Sequence, residues 1–575
     1  IRNRSRPSAS ANPKGPSMSF RTRALTAAAA AWLGTLAITA PVRAADAPPA
    51  TQPATAASAS TSLLSNGSFT DLDATGWPTD WPKVANVTAE AEGDVHFLRF
   101  TCPGENKSVI VYRRVRLPDP PPPGVELRIK VRFDVTVGVH PWFDARVMSH
   151  WKTATDKVIK GDPPAPAFHG KSKDWVTKSM FFRVPKGAAV LEVMPSLLQV
   201  TSGTLDLAEC EVLPATEDQL PKPPPIIPSD AKPAPTSSAV PPELHVVGNQ
   251  LETAAGKPVV LQGLCLDSLE WSAKGEHLQD SIPVAIEQWK SNAIRLPINS
   301  PFWWGVGGHQ YHDVGGLVYR TTVDTCIDAA VSRGAYLVLD LHRFGRPTAD
   351  DVAFWKDAAL RYKNNPAVIY EIFNEPHSMS WPVWQHGGKA DDAHKDTNAA
   401  ENTEDVADEA VGMQALVDAV RSTGAHNLIV AGGIDWSYDL SGVVAGYALH
   451  DVDGADGIMY SSHNYPWKKN WQHNVLDAAA KYPIFVGEVG CPEKWSDFKF
   501  IPKSEQYEKL GPGCTWPTDV IGMMQKYKLN WTGFSFHPKC GPMVIKDWTY
   551  APTDYWGVYV KDALAGKQFE MQRLR

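Results

Sequence analysis

No cluster of Lys or Arg interrupts the 575 residues, and the formal net charge is only −7. A chain so balanced lacks the basic field that nucleic acid requires, so nucleic acid is excluded as a partner. Cysteine is scarce: seven residues, at 102, 210, 265, 326, 491, 514 and 540, with no C-x-x-C pair. That spacing removes zinc ribbons and thioredoxin-like chemistry from consideration. Cys102 and Cys210 fall in one block of the chain and are the expected bridge. The odd count leaves at least one thiol over, and nothing ranks partners among Cys491, Cys514 and Cys540. After residue 40 no apolar run is long enough to cross a bilayer.

Tryptophan, by contrast, is abundant, with 21 residues. Its flat apolar face and single polar handle suit the C–H faces of sugar rings, although any one Trp is more often plain core. The amino terminus sets the compartment. Met18, then Arg21 and Arg23, the apolar run Ala24–Ala40 and Pro41-Val42-Arg43-Ala44 form the three regions of a secretory signal over 18–44, cut after Ala44. Residues 1–17 are expected to lie upstream of the true start. The chain is thus expected to be secreted, extracellular or periplasmic, with no membrane attachment once the signal is removed, and to act as a monomer.

Two low-complexity stretches divide the rest. Residues 45–62 are Ala/Pro/Thr/Ser and read as a disordered tether, and 214–242 is a Pro-rich linker expected to be extended and semi-rigid. Between them, 63–213 alternates apolar and polar residues, as in Leu127-Arg128-Ile129-Lys130-Val131-Arg132-Phe133, and predicts an all-β sandwich. Trp77, Trp81, Trp142, Trp151 and Trp175 are its candidate sugar contacts. From 243 to 566, eight strand signals alternate mainly with amphipathic helices: 259–264, 293–297, 336–341, 368–373, 428–431, 458–462, 484–486 and 531–536. That pattern predicts a parallel (β/α)8 barrel. An open doubly wound sheet would carry a Gly-rich phosphate turn after its first strand, and Gln262-Gly263-Leu264-Cys265 is not one.

In such barrels catalytic groups stand at the carboxyl ends of strands. Those positions hold Arg295 on the second strand, His342 after the third, Asn374-Glu375-Pro376 after the fourth, His463 and Tyr465 after the sixth, and Glu488 on the seventh. Two carboxylates on the fourth and seventh strands can face each other across the barrel mouth, as glycoside hydrolysis requires. Arg295 is suited to hold one carboxylate ionised, His463 to orient the other, Tyr465 to donate to the nucleophile and Asn374 to meet a sugar 2-hydroxyl. Trp303 and Trp304, Trp381 and Trp384, and Trp436 follow barrel strands and are candidate cleft aromatics. A metallohydrolase barrel would show His-x-His on its first strand, and Leu264-Cys265-Leu266 offers none. No metal or other cofactor is expected.

The runs NAIRLPI, LVLDLHR, VIYEIFNEPH, SSHNYPW and IFVGEVG, in this order at strand ends, resemble glycoside hydrolase family 5, the cellulase and mannanase family. The resemblance covers about 244–565. It implies a retaining mechanism with Glu375 as acid/base and Glu488 as nucleophile, and places Arg295, His342, Asn374, His463 and Tyr465 in the remaining polar set. It also puts Phe534 where the family carries a stacking Trp, a departure that keeps an aromatic face but loses the indole N–H. The first block, with LSNGSF, Gly76-Trp77 and GTLDLAECEVL, is similar to jelly-roll carbohydrate-binding modules, which implies a hold on polysaccharide. The expected activity is hydrolysis of internal β-1,4 linkages of cellulose or a related β-glucan. A β-mannanase, another β-glycanase of the family, a transglycosylase and a polysaccharide binder without catalysis stand as alternatives.

Overall fold

The protein, a computed structural model, is described here over residues 61–575 apart from 105–106, 139–142, 160–162, 223–224, 307–312, 390–408, 499 and 512. The signal, most of the tether and Trp142 therefore lie outside the described residues.

Two antiparallel sheets form the first block. One joins Val87–Glu92, Val95–Thr101, Ser202–Ala215, Gly124–Thr136 and Val176–Arg183 in that order, and the other is centred on Val190–Leu197 and Ala145–Lys152. The predicted alternation is realised: Leu127, Ile129 and Val131 are buried while Arg128, Lys130 and Arg132 face outward in between. Two of the candidate sugar-contact tryptophans are core instead. Trp81 packs on Phe69 and Trp151 on Phe182, each almost fully buried. Trp175 stays half-buried, with the Arg132 guanidinium 4.6 Å from its ring centre.

The Cys102–Cys210 bridge is not formed; every cysteine is a free thiol. Cys102 donates its backbone N–H to Gly203, and Cys210 lies seven residues further along the same strand. At ~3.4 Å per residue they stand about 24 Å apart, whereas a bridge needs Cα atoms within ~7 Å. Sharing a domain was too coarse a criterion.

The Pro-rich segment forms no helix or strand over 225–242, but it lies on the barrel rather than standing free. Ser229 donates its N–H to Asp357 at 2.6 Å, Lys232 pairs with Asp324 at 2.8 Å, and Tyr336 donates to the Pro242 carbonyl at 2.7 Å.

The second block is a closed parallel barrel of eight strands: β1 (Gln262–Cys265), β2 (Ala293–Ile298), β3 (Tyr336–Leu341), β4 (Val368–Glu371), β5 (Ile429–Gly432), β6 (Ile458–Ser461), β7 (Ile484–Val489) and β8 (Asn530–Gly533). Each is covered by helices outside and by side chains inside, so the strands read as continuous apolar runs. The first predicted strand divides: Pro258–Val259 belongs to a small antiparallel sheet with Leu244–Val247 and Gln250–Thr253, and β1 starts three residues later. Among the described residues no helix is long and apolar enough to cross a membrane.

Candidate active site

Three local devices aim the polar residues inward. Beyond β4 the backbone is fixed by its neighbour: Asn374 donates its N–H to Leu341 and Glu375 to Arg343, both at 3.0 Å, and Glu375–Pro376 pairs with Phe344–Gly345. On β7 the register slips between Val486 and Val489, because the two residues between them, Gly487 and Glu488, oppose the single Thr532 on β8. Such a bulge turns side chains away from strict alternation, and Glu488 sits inside it. The residue before it must be glycine: a Cβ on Gly487 would fall 2.7 Å from the Ser461 hydroxyl and 2.9 Å from the Glu371 carboxylate.

Arg295, fully buried on β2, is the hub. Its Nε donates to Glu371 at 2.6 Å, Nη1 to Glu488 at 3.0 Å, and Nη2 to the Asn374 side-chain oxygen at 2.7 Å, with Asp340 at 3.1 Å. A guanidinium without such partners would not tolerate a dry interior. Tyr465 donates its hydroxyl to Glu488 at 2.5 Å, and Trp467 lies flat on the Tyr465 ring at 4.7 Å. His463 Nδ1 is 2.9 Å from Glu375 and 3.6 Å from Glu488. One oxygen of each glutamate and a His463 ring nitrogen lie within 4.8 Å of one another. His342 bonds Asp340 at 2.6 Å through Nδ1 and faces Glu270 at 3.6 Å through Nε2.

The two glutamates are driven in opposite directions. Burial raises the Glu375 carboxyl above its ordinary value, and the charge of Glu488 adds to this against a bond from His463. Burial would raise Glu488 as well, but His463, Arg295, His342 and the Tyr465 hydroxyl outweigh it and hold that carboxyl low. Burial also works against charge on the histidines. Glu488, Glu371 and Glu375 nonetheless push His463 up to about 9, and Glu270 and Asp340 push His342 up to about 10. Arg295, His342 and His463 thus stand among the carboxyl groups of the site, with Glu375 shifted toward its protonated form and Glu371 and Glu488 toward their ionised forms. Among the described residues, Glu375, His463 and Glu488 form the one cluster with metal-ligand spacing. A histidine protonated at neutral pH and bonded to a carboxyl suits proton handling better than ligation.

All seven polar residues singled out from the sequence fall in this network or on its edge. The aromatics divide. Trp303 is corrected: it is fully buried, packs on Phe354 and Tyr362 and donates its indole N–H to Asp357 at 2.8 Å, so it belongs to the helix layer and not to a cleft. Trp304 is half-buried against the same core. Trp381 lies against Gly442, Trp384 and Tyr447, and Trp384 is corrected to core: it is fully buried and donates its indole N–H to the Gly432 carbonyl at 2.9 Å. Trp436 stacks on His377, two residues beyond Glu375, at 3.8 Å. Phe534 follows β8, almost buried, its N–H on the Val489 carbonyl at 2.9 Å.

The reading of strand ends missed Asp340, next to last in β3, and Glu371, which closes β4 but lay inside the strand expected at 368–373. The available signal was a carboxylate inside an apolar strand, costly unless partnered. Ser461, which donates to Glu371 at 2.9 Å, and Trp467 were missed too.

A family model, cellulase (glycosyl hydrolase family 5), matches residues 253–540. An endoglucanase of Microbulbifer sp. is 22% identical over 329 residues, covering 55% of this chain and 55% of its own length. An endoglucanase of Paenibacillus polymyxa is 23% identical, covering 53% of this chain and 83% of its own. The chain thus spans about half of the first relative. Among solved structures, a β-glucanase from Saccharophagus degradans in complex with cellotetraose superposes with a TM-score of 0.45 at 21% identity, over 61% of this chain and 99% of that one. With the family model covering half of its residues, this chain belongs to glycosyl hydrolase family 5, the cellulase family.

Proposed function

We propose that the protein hydrolyses internal β-1,4 linkages of a polysaccharide, cellulose or a related β-glucan, with retention of anomeric configuration. The observation that carries this reading is the approach of one oxygen each of Glu375 and Glu488 within 4.8 Å, with the first carboxyl shifted above its ordinary value and the second below it. A separation near ~5 Å leaves no room for water between carboxylate and sugar and favours direct attack.

In the first step Glu488 attacks the anomeric carbon while Glu375 gives its proton to the glycosidic oxygen, which leaves as an alcohol. The product is a glycosyl ester on Glu488. Glu375, now a carboxylate, takes a proton from water as that water attacks the same carbon and Glu488 departs. Arg295 and Tyr465 stabilise the Glu488 charge before attack and after release. The Asn374 side-chain nitrogen has no protein partner in the site and is available to the sugar's 2-hydroxyl. Endoglucanase names among the relatives support a glucan over mannan or xylan.

Polymers of this size are met outside the cytoplasm, which agrees with the secretory signal read at 18–44. The sandwich of 63–213, joined through 214–242 to the barrel of 243–566, is proposed to keep polymer near the cleft. Incubation with a dinitrophenyl 2-deoxy-2-fluoro-β-cellobioside tests the mechanism: the label is expected on the peptide containing Glu488. A label elsewhere, or none from a preparation that cuts β-glucan with inversion by NMR, would refute it.

A further inference from the structure

Cys491 and Cys514 take no part in the steps above, yet the fold brings them together. Cys491 stands two residues beyond β7 and is buried, and Cys514 stands two residues before the helix Trp516–Tyr527, half-buried against the same core. The loop between them folds its two arms onto each other. Trp495 donates its indole N–H to the Glu508 carbonyl at 2.9 Å, and Arg575 grips the Glu508 carboxylate at 3.0 Å and the Thr515 hydroxyl at 3.2 Å. Next to these ties the Cys491 thiol hydrogen-bonds to the Cys514 sulfur. The remaining thiols of the barrel are engaged elsewhere: Cys265 receives Arg295 at 3.6 Å, Cys540 bonds to Asp267, and Cys326 is buried within the helix Leu317–Val331.

The two thiols are unequal in a way that disulfide exchange uses. The bond from Cys491 draws the Cys514 thiol down to about 7, so that much of it is thiolate at neutral pH. The same bond, with burial, holds Cys491 protonated, well above its ordinary value. Exchange starts on an accessible thiolate and is completed by a second thiol within reach. What the loop carries matters to the active site. Trp495 and Phe498 pack around Trp467 at 6.3 and 5.5 Å, and Trp467 lies on Tyr465, the donor to Glu488.

We propose that Cys491 and Cys514 are a dithiol site that a disulfide donor oxidises to an intramolecular bridge, closing residues 491–514 into a ring that braces the wall behind Trp467. The Cys514 thiolate attacks one sulfur of the donor and displaces the other as a thiolate, leaving a mixed disulfide. Cys491 gives its proton to that thiolate and attacks the Cys514 sulfur. The second donor sulfur leaves and takes up the proton that Cys514 lost on ionising. Two thiols are thus oxidised by two electrons, and the donor disulfide becomes two thiols. Disulfide donors act outside the cytoplasm, the compartment implied by the signal read at 18–44. The bridge itself does not depend on which polymer the barrel cuts.

The test incubates the reduced full-length chain with glutathione disulfide, blocks remaining thiols with iodoacetamide and digests with trypsin without reducing agent. Mass spectrometry is expected to find the peptide 482–494, with Cys491, joined to the peptide 510–526, with Cys514, and dithiothreitol to part them. Both cysteines alkylated, Cys514 left as a mixed disulfide with glutathione, or either one joined to the Cys540 peptide 540–546 would overturn the proposal. Bracing is read by melting. A bridge closing a ring of this length is expected to raise the Tm of the barrel by about 5–10 °C over the reduced chain. Cys514→Ser is expected to gain nothing from the same oxidant. An equal gain in that variant, or none in wild type, would refute the brace. Turnover enters neither reading, so failure of the functional assignment leaves this test intact.

Discussion

Tyr465→Phe removes one oxygen from the site and leaves the ring on which Trp467 stacks. The lost contact is the 2.5 Å bond from a nearly buried phenol to the Glu488 carboxylate, itself 6% exposed. A hydrogen bond to a charged group contributes about 1.5–3 kcal/mol. Because it favours the ionised form of Glu488, its loss raises that carboxyl, and at ~1.4 kcal/mol per unit the rise is about 1–2 units. Arg295 still donates to the other oxygen, so the carboxylate remains in place. The nucleophile works only when ionised; the acid limb of kcat/KM against pH is therefore expected to move upward by that amount while the alkaline limb stays. A full pH profile on a soluble β-glucan, with near-ultraviolet circular dichroism as a check on the fold, measures it. A variant whose acid limb coincides with that of wild type would refute the assignment of Tyr465 as a donor to an ionised Glu488.

Glu371→Ala leaves the buried Arg295 short of its closest partner and is expected to destabilise the barrel by about 3–5 kcal/mol in denaturant titration; a loss under about 1 kcal/mol would contradict the network. Arg295, after overcoming the cost of burial, holds Glu371 down to about 2. Its contribution is therefore complete above the ordinary carboxylate range and fades as pH falls from about 4.5 toward 2, which thermal melts at stepped pH will register. Gly487→Ala forces a methyl group against Ser461 and Glu371 and is expected to abolish turnover with a lowered Tm; normal kinetics would show that the bulge tolerates a side chain. Trp303→Ala is expected to cost about 3–5 kcal/mol of stability and to leave KM on polymer unchanged, since the ring is core; a raised KM with an unchanged Tm would restore it to the cleft.

The barrel was legible because its strands are buried on both faces and interrupted by amphipathic helices, so eight apolar runs stand out, from the one that ends in Gln262–Cys265 to Asn530–Gly533. Only the first was misplaced, where Pro258–Val259 adds an apolar pair that pairs with a hairpin instead. Polar residues at strand ends were equally readable, because few positions after an apolar run tolerate charge. The facing of tryptophans was not. Trp303 and Trp436 both follow strands, but one turns into the helix layer to reach Asp357 and the other stacks on His377. That choice is made by helix packing and by backbone turns such as the positive φ of Trp436, neither of which leaves a mark in residue spacing. Cys102 and Cys210 teach the same lesson, since strand register decided their separation.

The division of labour between Glu375 and Glu488 is tested most directly by azide rescue of Glu375→Ala and Glu488→Ala on an activated aryl β-cellobioside. With Glu488 removed, azide is expected to attack the substrate directly and yield the α-glycosyl azide. With Glu375 removed, it is expected to attack the glycosyl ester on Glu488 and yield the β-glycosyl azide. The same anomer from both variants, or the two anomers exchanged, would contradict the assignment.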